Sequence, residues 1–408
     1  MTVTVAQLGA RMHYAVPRIL HSAGYLERLY TDICATRDWP RWLRMLPRGL
    51  RQGGIARLLG RVPEGIPADR IFTFPTFGLQ YALRLRKAHT GLDRNAAYLW
   101  AGARFDRLVV AAGFGAASTV YGFNTASEIL FQDAARRRTR MILEQTIAPR
   151  VTEAKLLDGA ADVADPWRET IRDASFDEFA SRERREWELA DRILCPSEFV
   201  REAVVECGAD RAKCLVVPYG VDTETFIRRE RATREVASRE RVVLFVGLFG
   251  LRKGAPYLLR AMSRLEALPL RCRIVGPTRL DLDFVRSQCP ANVEFVGPIP
   301  RQCMAREYAR ADIFCLPSLC EGSATATYEA LAAGLPVVTT PNSGSIVRDG
   351  VEGFVVPAGD AVSLAGALER LCRDKALRRS MGQAAGDRSR YGSLSAYRER
   401  LLPALGLP

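Results

Sequence analysis

Short apolar runs rich in Val, Ile, Leu and Phe recur along the chain, separated by longer mixed segments with apolar positions at helical spacing. Runs without polar alternation mark strands covered on both faces, and their regular exchange with helices predicts parallel sheets in an α/β fold. In the first half the clearest unit is a strand at 119–123, a helix at 126–138 and a strand at 141–144. A charge-dense stretch with few β-branched residues follows at 152–192. It reads as helices, the last one, at 181–190, carrying mixed charge on a solvated face. A second series then begins, with strands at 241–246, 271–275, 292–296, 312–316 and 337–340. Helices are predicted between them at 255–268, 302–309 and 324–333. LVVPYGVD at 215–222 and a charged stretch up to Glu240 lie between the two series, and the domain junction is placed there. The expectation is two doubly wound domains facing across a cleft, with ligands at the carboxyl ends of the strands.

Length and composition narrow the classes. The 408 residues suit two domains, and 48% hydrophobic with 26% charged residues excludes disordered and fibrous chains. The first residues lack a charged segment followed by an apolar core, so no secretory signal is expected. The most apolar stretch, 108–123, is broken by Gly113, Gly115, Ser118 and Thr119 and is too short for a membrane span. Ten scattered cysteines without a CxxC pair point to free thiols in a reducing cytosol. With only His13, His21 and His89 available, His-rich metal chemistry is not expected. The formal charge is +13, and 54 of the 59 basic residues are Arg. A single Arg therefore carries little information, whereas Lys87, Lys155, Lys213, Lys253 and Lys375 carry more.

Two segments carry candidate chemistry. In LPSLCEGSATATYEALAAG (316–334) a buried strand ends at Leu316, Pro317 and Ser318 turn the chain, and Gly334 stops a helix. Glu321 stands just before that helix and Glu329 within it, eight steps or about 12 Å apart at helical rise. That length is comparable to a nucleotide sugar from ribose to hexose. Each carboxylate can accept from vicinal hydroxyls, while the amides of Gly322, Ser323, Ala324 and Thr325 at the helix start suit the diphosphate between them. An ordinary amphipathic helix with solvated glutamates shows the same spacing. The second segment is GLFGLRKG, Gly247 to Gly254, directly after an apolar strand. Its glycines permit a tight turn, and Arg252 and Lys253 bring cations into it. A compact ammonium suits a phosphate as a point charge, and here Lys stands where the chain otherwise favours Arg. GxxxxGK[ST] is absent, so a P-loop has no support. Asp281-Leu282-Asp283 spells a metal–nucleotide motif that arises often by chance. The stretch from Gly113 to Ser118 lacks the last glycine and the acidic partner of a dinucleotide fingerprint.

Five features stand in one order: LCPSEFV at 194–200, PYGVD at 218–222, the strand–Gly–RKG turn at 246–254, the Glu321/Glu329 pair and AAGLPVV at 332–338. Together they resemble the retaining family 4 glycosyltransferases (glycosyl transferases group 1), strongly over about 190 to 360 and weakly before. The resemblance implies the GT-B architecture of two Rossmann-like domains. It makes 1–215 an acceptor-binding domain and 216–385 a donor-binding domain, with 386–408 a helix returning to the first. It implies transfer of a hexose-type sugar, with retention and without a metal cofactor, from a UDP- or GDP-sugar to an acceptor hydroxyl. Glu329 would hold the donor ribose and Glu321 the transferred sugar, and Lys253 with Arg252 the diphosphate. Gly247 and the backbone at Gly322, Ser323, Ala324 and Thr325 would assist, and Pro298 and Ile299 would line the base. This chain departs from the family in three places. Leu248 stands where an Arg usually follows the glycine, with Arg252 as the substitute, and Gly9-Ala10-Arg11 replaces a glycine pair. The family's acceptor-side histidine has no clear counterpart. ILEQTIAPR (142–150) occupies its region, making Glu144 and Gln145, with Asn124, the acceptor-side candidates; a strand-end carboxylate and amide on a loop is the plain structural alternative. From a different class comes a non-catalytic, membrane-associated scaffold.

The first hundred residues hold 15 basic and 6 acidic side chains, +9 of the total +13. From Thr36 to Arg61 seven Arg and one Asp interleave with Trp39, Trp42, Leu43, Met45, Leu46, Leu50, Leu58 and Leu59. Such a segment fits an anionic membrane surface, with apolar area inserted and cations at the headgroups. A helical hairpin packed on the domain, its Arg side chains snorkelling, fits equally. No nucleic-acid motif accompanies the charge, so nucleic acid is not expected as a partner. The surface reading predicts a cytoplasmic protein, peripheral on the inner face of the plasma membrane. Its acceptor would be a glycan or lipid-linked intermediate of cell-surface polysaccharide or glycolipid synthesis.

Overall fold

A computed structural model describes residues 1–51, 53–88, 91–160, 162, 165, 167, 171–227 and 240–408. The predicted junction stretch at 228–239 and the side chains of Arg44 and Arg48 lie outside the described residues. The first sheet contains β1 (Val3–Gln7), β2 (Leu26–Thr31), β3 (Ile71–Thr73), β4 (Thr119–Phe123), β5 (Arg140–Glu144), β6 (Arg192–Cys195) and β7 (Cys214–Val216), in the order β3-β2-β1-β4-β5-β6-β7. The second contains β8 (Arg241–Val246), β9 (Leu270–Val275), β10 (Val293–Gly297), β11 (Ile313–Leu316), β12 (Val337–Thr339) and β13 (Gly353–Val355), in the order β10-β9-β8-β11-β12-β13. All their pairings are parallel, and in each sheet the first strand lies inside, where the order reverses. That reversal is the topological switch point at which doubly wound sheets bind ligands.

Alternation along the strands of the first sheet explains its two cores. Val3, Val5, Tyr121, Phe123 and Ile142 enter one, whereas Ala6, Val120 and Leu143 enter the other. The last helix, Leu394–Ala404, adds Tyr397, Leu401 and Leu402 to the first of these cores, so the chain's end packs on the N-terminal sheet. Arg140 and Arg192 donate to the carbonyls of Leu405 and Ala404 at 2.7 Å each, placing cations at the negative end of that helix. The chain crosses between the sheets twice, side by side: Val221 N–H donates to Gly392 O at 2.9 Å. A Cβ on Gly220 would lie 2.5 Å from Ser393 O, so the crossing requires glycine. Trp167 also joins the halves, meeting Phe249 and Phe284 edge-on at 5.7 and 5.5 Å.

Three expectations change. The helix expected at 255–268 ends at Ser263. The helix expected at 181–190 with a solvated charged face runs Phe176–Leu189 and buries Arg182, Glu183 and Glu186. Their charges are consumed internally. Glu186 accepts from the amides of Thr125 (2.6 Å) and Ser127 (2.9 Å) at the start of helix Glu128–Arg136, and Arg182 donates to Leu99 O at 2.9 Å. Charge density therefore marked a polar network rather than solvent. Finally, the Thr36–Arg61 segment is not a packed hairpin. Helix Gly53–Leu59 buries none of its residues, and Trp39, Trp42, Met45 and Leu50 are 46%, 57%, 76% and 60% exposed. Among the described residues no helix is long and apolar enough to cross a membrane.

Candidate active site

The turn after β8 is built on glycine. Gly247 and Gly254 have φ of 145° and 74°, and a Cβ on Gly254 would lie 1.9 Å from Pro317 O. Between them a 3-10 turn, Leu251–Lys253, is tied to the loop after β11. The Arg252 carbonyl accepts from the amides of Leu319 (2.9 Å) and Cys320 (3.3 Å), and its guanidinium donates to Cys320 O at 3.1 Å. This brings Lys253 Nζ within 2.8 Å and Arg252 Nη1 within 3.0 Å of Glu321 Oε1. Lys253 and Glu321 keep only 14% and 13% of their side chains exposed. Burial pushes the Glu321 carboxyl up, but the charges of Lys253 and Arg252 outweigh it and hold it below its ordinary value.

The loop from Glu321 to Ala324 is pinned on both sides. Glu321 and Ala324 donate their amides to Asn342 O and Ser343 O, each at 3.0 Å. From the other half Ser197 Oγ donates to Gly322 O at 2.6 Å, and a Cβ on Gly322 would lie 1.9 Å from Thr146 O. The expectation that the Gly322–Thr325 amides together cradle an anion is corrected accordingly. The helix begins only at Thr325, the Ala324 amide is spent on Ser343, and Gly322 is turned against the N-terminal half.

Two cavities meet at this loop. One, of about 410 Å³, gathers Gly247, Lys253, Ile299, Glu321, Ser323, Ala324, Thr325 and Glu329, with Arg301 and Met304. Glu329 is buried and accepts from Tyr308 Oη at 2.8 Å. Burial raises its carboxyl, with the Tyr308 hydroxyl and the Arg301 charge opposing. Pro298 is exposed and does not line this cavity; Ile299, its neighbour, does. The second cavity, of about 460 Å³, opens between the two halves and shares Lys253, Glu321 and Ser323 with the first. Arg252 and Leu248 both line it, so a cation stands on that side although position 248 lacks one.

Among the acceptor-side candidates, Asn124 lines the second cavity, its Oδ1 accepting from Thr146 N (3.2 Å) and Oγ1 (2.9 Å). Glu144 and Gln145 do not line it. They end a central strand covered on both faces and are consumed inside. Glu144 accepts from Tyr121 and Tyr219 hydroxyls at 2.5 and 2.7 Å, and Gln145 Oε1 from Trp187 Nε1 at 2.9 Å. Arg11, Arg94, Arg150, Glu153 and Glu183 stand on that wall instead. Burial pushes the Glu183 carboxyl up to about 7 against the Arg150 amide and Gln145. Only Arg11 had a signal, as the residue replacing the expected glycine pair; the others are unremarkable in an Arg-rich chain. Asp281 is a helix cap, accepting from the amides of Asp283 and Phe284 at 3.0 and 2.9 Å, which accounts for the DxD spelling.

Comparison with known proteins agrees with this layout. Residues 240–374 match the family model described as Glycosyl transferases group 1. D-inositol 3-phosphate glycosyltransferase of Kribbella flavida is 35% identical over 220 residues, covering 48% of this chain and 52% of that protein. The chain thus spans about half the length of the curated relatives it matches. Among solved structures, Anabaena HepE in complex with UDP and glucose matches with a TM-score of 0.64 at 15% identity, covering 100% of this chain and 99% of that one. Sucrose-phosphate synthase from Thermosynechococcus elongatus matches with a TM-score of 0.65 at 18% identity, covering 98% and 97%. The two facing doubly wound sheets are those of the GT-B architecture. The likeness to the glycosyl transferases group 1 thus lies in the second half, over residues 240–374.

Proposed function

We propose that this protein is a glycosyltransferase that moves a sugar from a UDP- or GDP-sugar to an acceptor hydroxyl, with retention and without a metal. The observation that carries the reading is the Lys253–Glu321–Arg252 cluster at the meeting point of two cavities, one ending at Glu329 and the other opening between the halves. In the unliganded protein Glu321 holds both cations in place, and the incoming diphosphate takes over their charge. Glu321 is then released toward the sugar hydroxyls, while Glu329 meets the ribose. During transfer the bond from the anomeric carbon to the diphosphate breaks and the acceptor oxygen takes its place, its proton leaving with the diphosphate. Charge developing on the leaving group is met by groups already oriented, which costs little reorganisation. Closure of the halves over the reacting bond excludes water. Anabaena HepE, crystallised with UDP and glucose, supports a nucleotide-sugar donor. The exposed Trp39, Trp42 and Met45 with Arg41 support a peripheral place on the cytoplasmic face of a membrane and an acceptor in polysaccharide or glycolipid synthesis. Calorimetric titration with UDP and GDP tests the reading: one of them binds, and Glu329→Ala weakens it. A protein that binds neither is the non-catalytic scaffold instead.

A further inference from the structure

The cavity between the halves carries more positive charge than the donor reading uses. Arg11, Arg94 and Arg150 line it from the first half, and Arg252, Lys253 and Arg279 from the second. Three carboxylates answer them. Glu321 pairs with Arg252 and Lys253, and Glu153 pairs with Arg150 at 2.5 Å. Glu183 accepts from the Arg150 amide at 2.9 Å and, raised by burial, is only partly ionised near neutrality. Among the described residues neither Arg11 nor Arg94 pairs with a carboxylate.

Arg11 is held where it stands. Its Nη1 donates to Thr146 Oγ1 at 3.0 Å, and its guanidinium lies 5.7 Å from the Phe123 ring. The chain behind it is forced: Met12, His13 and Tyr14 have φ of 46°, 51° and 60°, three successive non-glycine residues in the left-handed region. Such a run persists only where surrounding contacts impose it, and it is found at ligand-binding sites. Thr146 is also the residue whose carbonyl abuts Gly322, next to Glu321. The Arg11 guanidinium thus stands across the cleft from the cluster assigned to the diphosphate, on the acceptor's side. Tyr81 and Tyr98 continue the same wall towards Arg94.

From this arrangement we propose that the acceptor bears a phosphate group, bound by the Arg11 and Arg94 guanidinium groups with its reacting hydroxyl directed at the Lys253–Glu321 boundary. Two guanidinium forks on one wall, without carboxylate partners among the described residues, match the charge and oxygen count of a phosphate better than those of a neutral glycan. The proposal rests on the donor assignment only for the direction of the hydroxyl. The phosphate is carried either by a soluble sugar or polyol or by a lipid headgroup.

UDP-saturated protein, its donor site filled, is titrated with glucose 6-phosphate and with glucose. In a second arm it is titrated with phosphatidylcholine vesicles with or without phosphatidylinositol. The phosphorylated probe of at least one arm is expected to bind in preference to its neutral counterpart. Arg11→Gln and Arg94→Gln are expected to weaken that binding about tenfold each, the loss typical of a hydrogen bond to a charged group. UDP affinity and the thermal midpoint stay at wild-type values, and Arg11→Lys retains part of the binding. Preference for glucose 6-phosphate assigns a soluble acceptor, and an Arg11-dependent preference for vesicles a lipid-borne one. Glucose binding as tightly as its phosphate, or phosphate binding that ignores both substitutions, overturns the proposal. A protein that binds neither UDP nor GDP sinks the donor reading alone, because the same titrations run without nucleotide still read the dependence on Arg11 and Arg94.

Discussion

The loops that follow β1 and β8 occupy the same station in two like sheets, each at the carboxyl end of an inner strand and each facing the cleft. The loop after β8 turns on Gly247 and Gly254 and is tied by backbone hydrogen bonds to the loop after β11, and its cations meet Glu321. The loop after β1 has a single glycine, Gly9, and reaches its conformation by driving Met12, His13 and Tyr14 to positive φ; its Arg11 meets a hydroxyl and a ring. Topology alone therefore decides where a loop stands. What it binds depends on whether its charges are answered within the fold. The same contrast appears in the buried acids. In the second half two cations hold the Glu321 carboxyl below its ordinary value, whereas in the first half burial pushes Asp106 and Glu183 up to about 7.

Replacing Lys253 attacks the contrast most directly. Lys253→Ala should lower turnover about 100- to 1000-fold, as expected for one preorganised group at developing charge. Arg252 still answers Glu321, so the variant remains folded. Turnover within a few-fold of wild type would remove the phosphate role and with it the distinction between the two loops. Next in size, Glu329→Ala should weaken UDP or GDP binding about tenfold or more by calorimetry, the size of a lost hydrogen bond to a carboxylate. Unchanged nucleotide affinity would detach the second half's inner cavity from the nucleotide.

A smaller effect sharpens the first half's side. Flotation with anionic vesicles should bring the protein up, and Arg41→Ala with Trp42→Ala should reduce binding several-fold, from about 1 kcal/mol for the cation plus the inserted ring. Flotation indifferent to lipid charge or to this double change would leave the exposed Trp residues without a membrane role. The smallest effect is a slope. Asp106 and Glu183 retain protons in the folded state that they lose when unfolded, so they make stability fall as pH rises from about 4 to about 7 and level off above. Glu321 acts in the opposite sense: its contribution is present above the unfolded value and is lost as pH falls through the lowered folded one. Asp106→Asn keeps an oxygen for the Ile129 amide and removes one titration. The thermal midpoint of wild type relative to this variant should therefore decline between pH 4 and 7; a constant difference would show that Asp106 is ionised throughout.

The second half was legible because its candidate chemistry is local. Glycines at 247 and 254, Lys253 beside Arg252, and Glu321 with Glu329 lie within short windows whose spacing a helix or turn converts directly into distance. The first half was not. Glu144 and Gln145 sit at a strand end, as expected, but the facing elements decide what they meet: Tyr219 comes from beyond β7 and Trp187 from the helix before β6. Likewise the charged residues of helix Phe176–Leu189 look solvent-bound in sequence and become a buried network only when the start of helix Glu128–Arg136 is laid against them.

The sequence by itself therefore determined the two parallel sheets, the glycine turn after β8 and the pairing of Glu321 with Glu329, because periodicity and φ preference act over a few residues. Tertiary structure alone decided that Glu321 joins both cations and that Gly322 meets Thr146. It also decided that Arg11 rather than Glu144 reaches the cleft. These depend on side chains distant in sequence, and an Arg among 54 announces nothing until the fold shows whether a carboxylate stands opposite.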